Sequence, residues 1–116
     1  MEIRHPRKGD VLPVMLNLDG NYDPDWIWIY GNSILVCAPA HDAIHLIVLK
    51  KWGEMPPMWC HRLFQHVLKE VKARGFRRYI AWVSAEEEAE SKLLEIAKFH
   101  GATFENFNGE LIAGVL

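Results

Sequence analysis

The stretch Ala43-Ile44-His45-Leu46-Ile47-Val48-Leu49-Lys50-Lys51, followed by Trp52-Gly53-Glu54-Met55-Pro56-Pro57 and then by Met58 to Arg74, decides the fold. Its first part is a nearly continuous apolar run interrupted by His45, which suits a central strand covered on both faces. Two consecutive prolines can continue neither a strand ladder nor a helix interior, so residues 52–57 read as a loop. Pro57 is suited to a first helical position, where its missing N–H would have had no partner. Beyond it, Leu63, Phe64, Val67, Leu68 and Val71 form one stripe at helical spacing, and Gly75 ends the helix with Lys72 and Arg74 in its last turn. A short link then leads to Phe76–Val83, whose Tyr79-Ile80-Ala81-Trp82-Val83 reads as another strand. Strand, helix and strand in this order predict a parallel pair.

Working outward, Trp26–Tyr30, the turn pair Gly31-Asn32 and Ser33–Cys37 read as a hairpin, and a turn over Pro39–Asp42 leads into the central strand. Glu2–His5 is extended and stopped by Pro6. Asp10 stands as an N-cap ahead of Val11, Leu12, Met15 and Leu16, and residues 19–25 are loop by composition. Downstream, Ser84-Ala85-Glu86-Glu87 has the form of a capping box. It opens a helix with Leu93, Leu94, Ile96 and Ala97 on its buried face, closed at His100-Gly101. Thr103–Phe107, the turn Asn108-Gly109 and Leu111–Leu116 end the chain on a hairpin. The expected architecture is one α/β (α+β) domain over residues 1–116: a mixed, mostly antiparallel sheet with parallel central strands, flanked by about three helices.

Composition excludes several classes. Thirteen basic and fifteen acidic residues give a net charge of -2, which offers no overall attraction to nucleic acid or an anionic membrane. No apolar stretch approaches the roughly 20 residues of a membrane span, and Met1–Pro6 lacks the apolar core of a secretory signal, so a cytoplasmic protein is expected. Cys37 and Cys60 form no C-x-x-C motif and read as free thiols in or near the core. No metal site is expected. His41 and His45 on an extended chain lie about 13 Å apart, and His61 and His66, five apart on a helix, point to different faces.

With the elements in this order, the chain resembles the GNAT superfamily of acetyl-CoA-dependent N-acetyltransferases over nearly its whole length. Ile3-Arg4-His5-Pro6-Arg7-Lys8-Gly9-Asp10-Val11 is similar to the family's first strand and the aspartate that begins its first helix. Phe99-His100-Gly101-Ala102-Thr103-Phe104 is similar to the segment that closes its last helix. The compact size and short first-helix region also look like the diverged GNAT-like proteins of tailed bacteriophages. The resemblance implies acetyl-CoA as cofactor, with Leu49, Lys50, Lys51, Met58, Trp59, Cys60 and Arg62 framing it, and an amine on a small molecule or a protein as acceptor.

In that family a glycine-rich loop presents backbone N–H groups and a helix N-terminus to the pyrophosphate. Here the corresponding stretch is Gly53–Cys60. Pro56 and Pro57 have no N–H, Met58 and Trp59 are bulky, and Glu54 adds a negative charge. Lys50, Lys51 and Arg62 are available as compensating charges or as ordinary surface residues. Lys69, Lys72, Arg74, Arg77 and Arg78 gather at the far end of the helix, where they complement its dipole. His45 is the titratable residue on the central strand before the lysines, and is either a general base or a core or interface histidine. The family's usual tyrosine acid falls at Ala97, which leaves Tyr79 and Tyr30 as phenols that could replace it or simply pack.

Two functions are therefore open from sequence. One is an acyl-CoA-dependent N-acyltransferase with His45 as base. The other is a catalytically inactive GNAT-fold protein that binds a partner, either a second copy or another protein, through the surface from Trp52 to Trp59, where Met55, Met58 and two prolines accompany the tryptophans.

Overall fold

Residues 2–7, 23–83, 88–99, 102–106 and 110–116 are described in the computed structural model. Seven strands among them form one sheet: β1 (Ile3–Arg4), β2 (Ile27–Tyr30), β3 (Ser33–Ala40), β4 (Ala43–Lys51), β5 (Arg78–Val83), β6 (Thr103–Asn106) and β7 (Glu110–Val115). The order across the sheet is β1-β2-β3-β4-β5-β7-β6. β4 and β5 run parallel, and every other neighbouring pair is antiparallel. Two helices, α1 (Trp59–Ala73) and α2 (Glu88–Phe99), supply the crossovers.

The alternation of side chains along β2 and β3 explains why both faces are covered. Trp28, Tyr30, Leu35 and Cys37 point to one face and join Leu63, Phe64, Val67 and Val71 of α1 and Leu93 and Ala97 of α2 in the main core. Ile27, Ile29, Ile34 and Val36 point to the other face, with Val48 and Trp52 packed against them. The apolar run of β4 fits its central place, but Ile47 is 39% exposed rather than covered. The register explains this: Val36 pairs with Val48 and Cys37 with Leu46, so Ile47 is the extra residue of a β-bulge. The bulge returns Leu49 to the same face as Ile44 and Leu46.

Two boundaries differ from the sequence reading. The turn before β4 is His41-Asp42, with Pro39 and Ala40 still in β3, and His41 takes the left-handed conformation at φ 58°. Trp26 belongs to a short 3-10 turn, Pro24–Trp26, capped by the Asp23 side chain. α1 closes as expected: Gly75 is left-handed at φ 101°, and the Phe76 N–H reaches Val71 O at 3.2 Å. The helix expected from Asp10, the capping box at Ser84–Glu87, the helix end at His100-Gly101 and the turn Asn108-Gly109 lie outside the described residues. No described helix is long and apolar enough to cross a membrane.

A polar knot ties α1 to the sheet edge. Glu70 accepts from Trp28 Nε1 at 2.7 Å and from His66 Nε2 at 2.9 Å, while His5 Nε2 and Arg74 Nη2 stand 3.7 and 3.8 Å from its Oε2. His5 Nδ1 must carry a proton, because its partner at 2.9 Å is the carbonyl of Ile27. Arg74 stacks on Trp26, 4.6 Å from the ring centre. The i,i+4 spacing of His66 and Glu70 is the sequence signal that foreshadows this knot.

Candidate functional site

β4 and β5 pair from Ala43–Arg78 to Leu46–Ala81 and then part, although β4 runs on to Lys51 and β5 to Val83. Parallel strands that separate at their carboxyl ends open a fork, the place where α/β sheets receive ligands. The bulge at Ile47 lies at the point of divergence and turns β4 away. His45 is one residue before the last paired position. It lies on the face opposite Ile44 and Leu46, half-buried, and its ring makes no hydrogen bond among the described residues.

Past the fork β4 carries Leu49, Lys50 and Lys51. Leu49 is buried on the α1 face. The two lysines alternate, so Lys51 projects to the α1 side and Lys50 to the other, about 13 Å along the strand from the fork. The loop that follows is held by the β2–β3 turn: Asn32 O accepts from the Trp52 N–H at 2.9 Å, and Asn32 Nδ2 donates to Glu54 O at 3.4 Å. A Cβ on Gly53 would come within 2.7 Å of Asn32 Nδ2, so any larger residue there would push the Asn32 side chain aside. α1 then begins with Met58 at its N-cap, with no side-chain cap and no acidic residue in its first turn, so its positive end is not neutralised locally.

Trp59 and Cys60 at this helix start are 1% and 2% exposed. Burial of Trp59 removes it from the interaction surface expected from sequence: it packs into the main core, with Nε1 left as a buried donor without an acceptor among the described residues. Trp52 is half-buried against the second cluster, Met55 packs on the main core, and Met58, 53% exposed, is the large apolar side chain that this loop leaves to solvent. A cysteine in the first turn of a helix is often an activated thiolate. Cys60 is the reverse: burial pushes its thiol up to about 12, against an opposing pull from Lys92 on α2. Cys37 is raised further by burial, with Arg74 opposing, and both cysteines are buried and outside any disulfide, as expected.

Arg62 is drawn away from the fork, donating from Nη1 to the Tyr30 hydroxyl at 3.3 Å on the β2 side of α1. Tyr79 pairs with Ile44 at the start of β4 and faces α1, whereas His45 pairs with Ile80 and faces the other way. Of the sequence candidates, the structure brings Leu49, Lys51, Met58, Trp59 and Cys60 to one end of the fork and His45 to its vertex. It separates Tyr79 and Arg62 from them. Ala97 is fully buried and contributes no acid.

The fit to a CoA thioester rests on architecture. The fork and a helix start with no acidic residue in its first turn suit an acyl-pantetheine arm with an anion at its far end. The glycine cradle is not rebuilt, since Pro56 and Pro57 withdraw two N–H groups and Glu54 is exposed nearby.

No protein-family model matches the sequence, and no curated protein matches it. Solved structures do. Ard1 from Thermoplasma volcanium superposes with a TM-score of 0.75 at 10% identity, over 99% of this chain and 97% of that one. Naa50 from Arabidopsis thaliana, in complex with the bisubstrate analogue CoA-Ac-MVNAL, gives 0.63 at 12% identity, over 99% and 98%. The PaiA N-acetyltransferase from Thermoplasma acidophilum, in complex with coenzyme A, gives 0.61 at 11% identity, over 78% of this chain and 58% of that one. The chain has the GNAT fold.

Proposed function

We propose that the protein is a GNAT-type acyltransferase that binds an acyl-CoA along the fork between β4 and β5 and transfers the acyl group to an amine. The carrying observation is the fork itself, with the ring of His45, which has no hydrogen-bond partner among the described residues, at its vertex and the start of α1 beyond its open end. Neighbours of the same fold bound to coenzyme A or to a CoA bisubstrate analogue support it. A bound thioester would supply an electrophilic carbonyl. His45 would hold the proton that the attacking amine gives up, CoA would leave as the thiol after taking up a proton, and Lys51 with the first turn of α1 would hold the anionic end, Lys50 adding its charge from the opposite face. The acceptor approaches from the His45 face, opposite the helices.

Calorimetric titration with acetyl-CoA tests this. Saturable micromolar binding, weakened at least tenfold by Lys50→Ala with Lys51→Ala, is the expected result. His45→Gln should then keep the binding and lower transfer to an amine by about 10²-fold or more. No binding at millimolar acetyl-CoA would sink the reading.

A second reading is favoured by one observation, the replacement of the cradle by Pro56, Pro57 and exposed Glu54 and Met58. In it the fold has lost the cofactor and works as a binding module, as a homodimer or on another protein. Met58→Asp would then abolish association while leaving the fold intact, and Trp59, being buried, would play no direct part.

A further inference from the structure

At the other end of the parallel pair lies a groove that the proposed chemistry does not use. It has a volume of about 510 Å³ and is bounded by α1, the start of β5 and the end of β7, a size in the usual range for small-molecule sites. Gln65, Leu68, Lys69 and Lys72 come from one stripe of α1, at positions i, i+3, i+4 and i+7. Phe64 and Tyr79 make its floor, their rings 5.5 Å apart and edge to face, and Val115 and Leu116 make its far wall. Tyr79 pairs with Ile44, so the groove is about five residues, or roughly 16 Å along the strand, from Leu49 and the helix start.

Two polar features are left unused there. Tyr79 is 98% buried, being 2% exposed, yet its hydroxyl has no hydrogen-bond partner among the described residues and its side chain lines the groove. That position is built: a Cβ on Gly114 would collide with the Tyr79 ring and hydroxyl, so glycine is what allows the phenol to lie where it does. Lys69 and Lys72 stand at the rim, and neither has an ion-pair or hydrogen-bond partner among the described residues.

We infer that this groove is a second ligand site, for a small amphipathic carboxylate with an alkyl or aryl body. The apolar body lies on Phe64, Leu68 and Val115. Its carboxylate meets the ammonium groups of Lys69 and Lys72, and the Tyr79 hydroxyl donates to one of its oxygens. A neutral amphiphile of the same length satisfies the apolar floor but leaves the cations unmatched, so charge is the discriminating property.

The test uses sodium octanoate and 1-octanol as probes on the intact chain, with calorimetry and thermal shift. Octanoate should bind saturably at one per chain and raise Tm, and octanol should bind at least tenfold more weakly. Lys69→Ala with Lys72→Ala, both solvent-exposed positions, should weaken octanoate at least tenfold with Tm of the free protein nearly unchanged. Tyr79→Phe, which keeps the ring packing, should weaken it severalfold. Equal affinity for octanol, an unaffected double-lysine variant, or no saturable octanoate binding would each overturn the inference. So would sedimentation showing a dimer that Val115→Asp dissociates, since a second copy would then occupy the groove. Failure of the acyl-CoA reading leaves these outcomes untouched, because no variant here lies at the fork.

Discussion

Cys60 shows how far context decides what a residue does. Its place in the first turn of α1 would lower a thiol's pKa, but burial dominates and raises it to about 12, so it is protonated at neutral pH and a poor nucleophile. The sign follows. Below the ordinary thiol value of 9.0 both folded and unfolded forms are protonated; above it only the unfolded form ionises, and stability is lost as pH rises from there toward 12. A disulfide-exchange reagent at pH 8 should therefore label neither cysteine in the native protein, and both promptly in denaturant. Prompt native labelling would show an accessible thiol. Trp59 is the companion case. Its indole N–H is buried without an acceptor among the described residues, an arrangement that costs about 1–3 kcal/mol. Trp59→Phe deletes that donor while keeping most of the ring, and should change stability by no more than about 1 kcal/mol, whereas Trp59→Ala should cost about 3–5 kcal/mol. Denaturant midpoints for the two variants decide it, and equal losses would mean that the N–H has a partner.

At the scale of elements, α1 was the most legible, because a single apolar stripe and a closing glycine fix both its inward face and its end. β4 was legible as central, but its bulge was not: nothing in Leu46-Ile47-Val48 distinguishes an extra residue from a regular one, since the register is set by the partner strand. Trp59 was misread as surface because proximity to prolines and methionines says nothing about which side of a helix start a ring takes. The knot around Glu70 was only half visible for a similar reason, as His66 and Arg74 flank it at i,i+4 spacing whereas His5 and Trp28 are distant in sequence. Burial alone would raise the Glu70 carboxyl, but hydrogen bonds from Trp28 and His66, together with the charges of His66 and His5, outweigh it and hold it below the usual 4.5. A depressed carboxylate contributes stability above its unfolded pKa, and that contribution is lost as pH falls through the lower native value. Glu70→Gln should accordingly be less stable than the natural protein at pH 7, with the gap closing below about pH 4.5. Urea midpoints at pH 7 and pH 3 measure it, and a gap that persists undiminished at pH 3 would refute the electrostatic account.

For the molecule as a whole, order of elements was enough to reach the GNAT fold, while the insertion of β7 between β5 and β6 had to come from the structure. Fold and activity part company at one loop. The chain has the fork, and on the acyl-CoA reading the first turn of α1 would face the anionic end of the cofactor, but Pro56 and Pro57 stand just ahead of that turn and offer no N–H. Each proline removes a donor, and a hydrogen bond to a charged group contributes about 1.5–3 kcal/mol, so two restored N–H groups outweigh the loss of loop rigidity at about 0.4–1 kcal/mol per proline. Replacing Pro56 and Pro57 together by glycine should thus lower the folded protein's stability slightly while tightening acetyl-CoA binding by at least tenfold. Calorimetry and a denaturant titration on the same variant separate the two effects. Tighter binding would place the weakness of the site in its missing donors. Unchanged binding with intact stability would move the cause to Glu54 and Met58, and would favour the reading in which this fold has given up its cofactor.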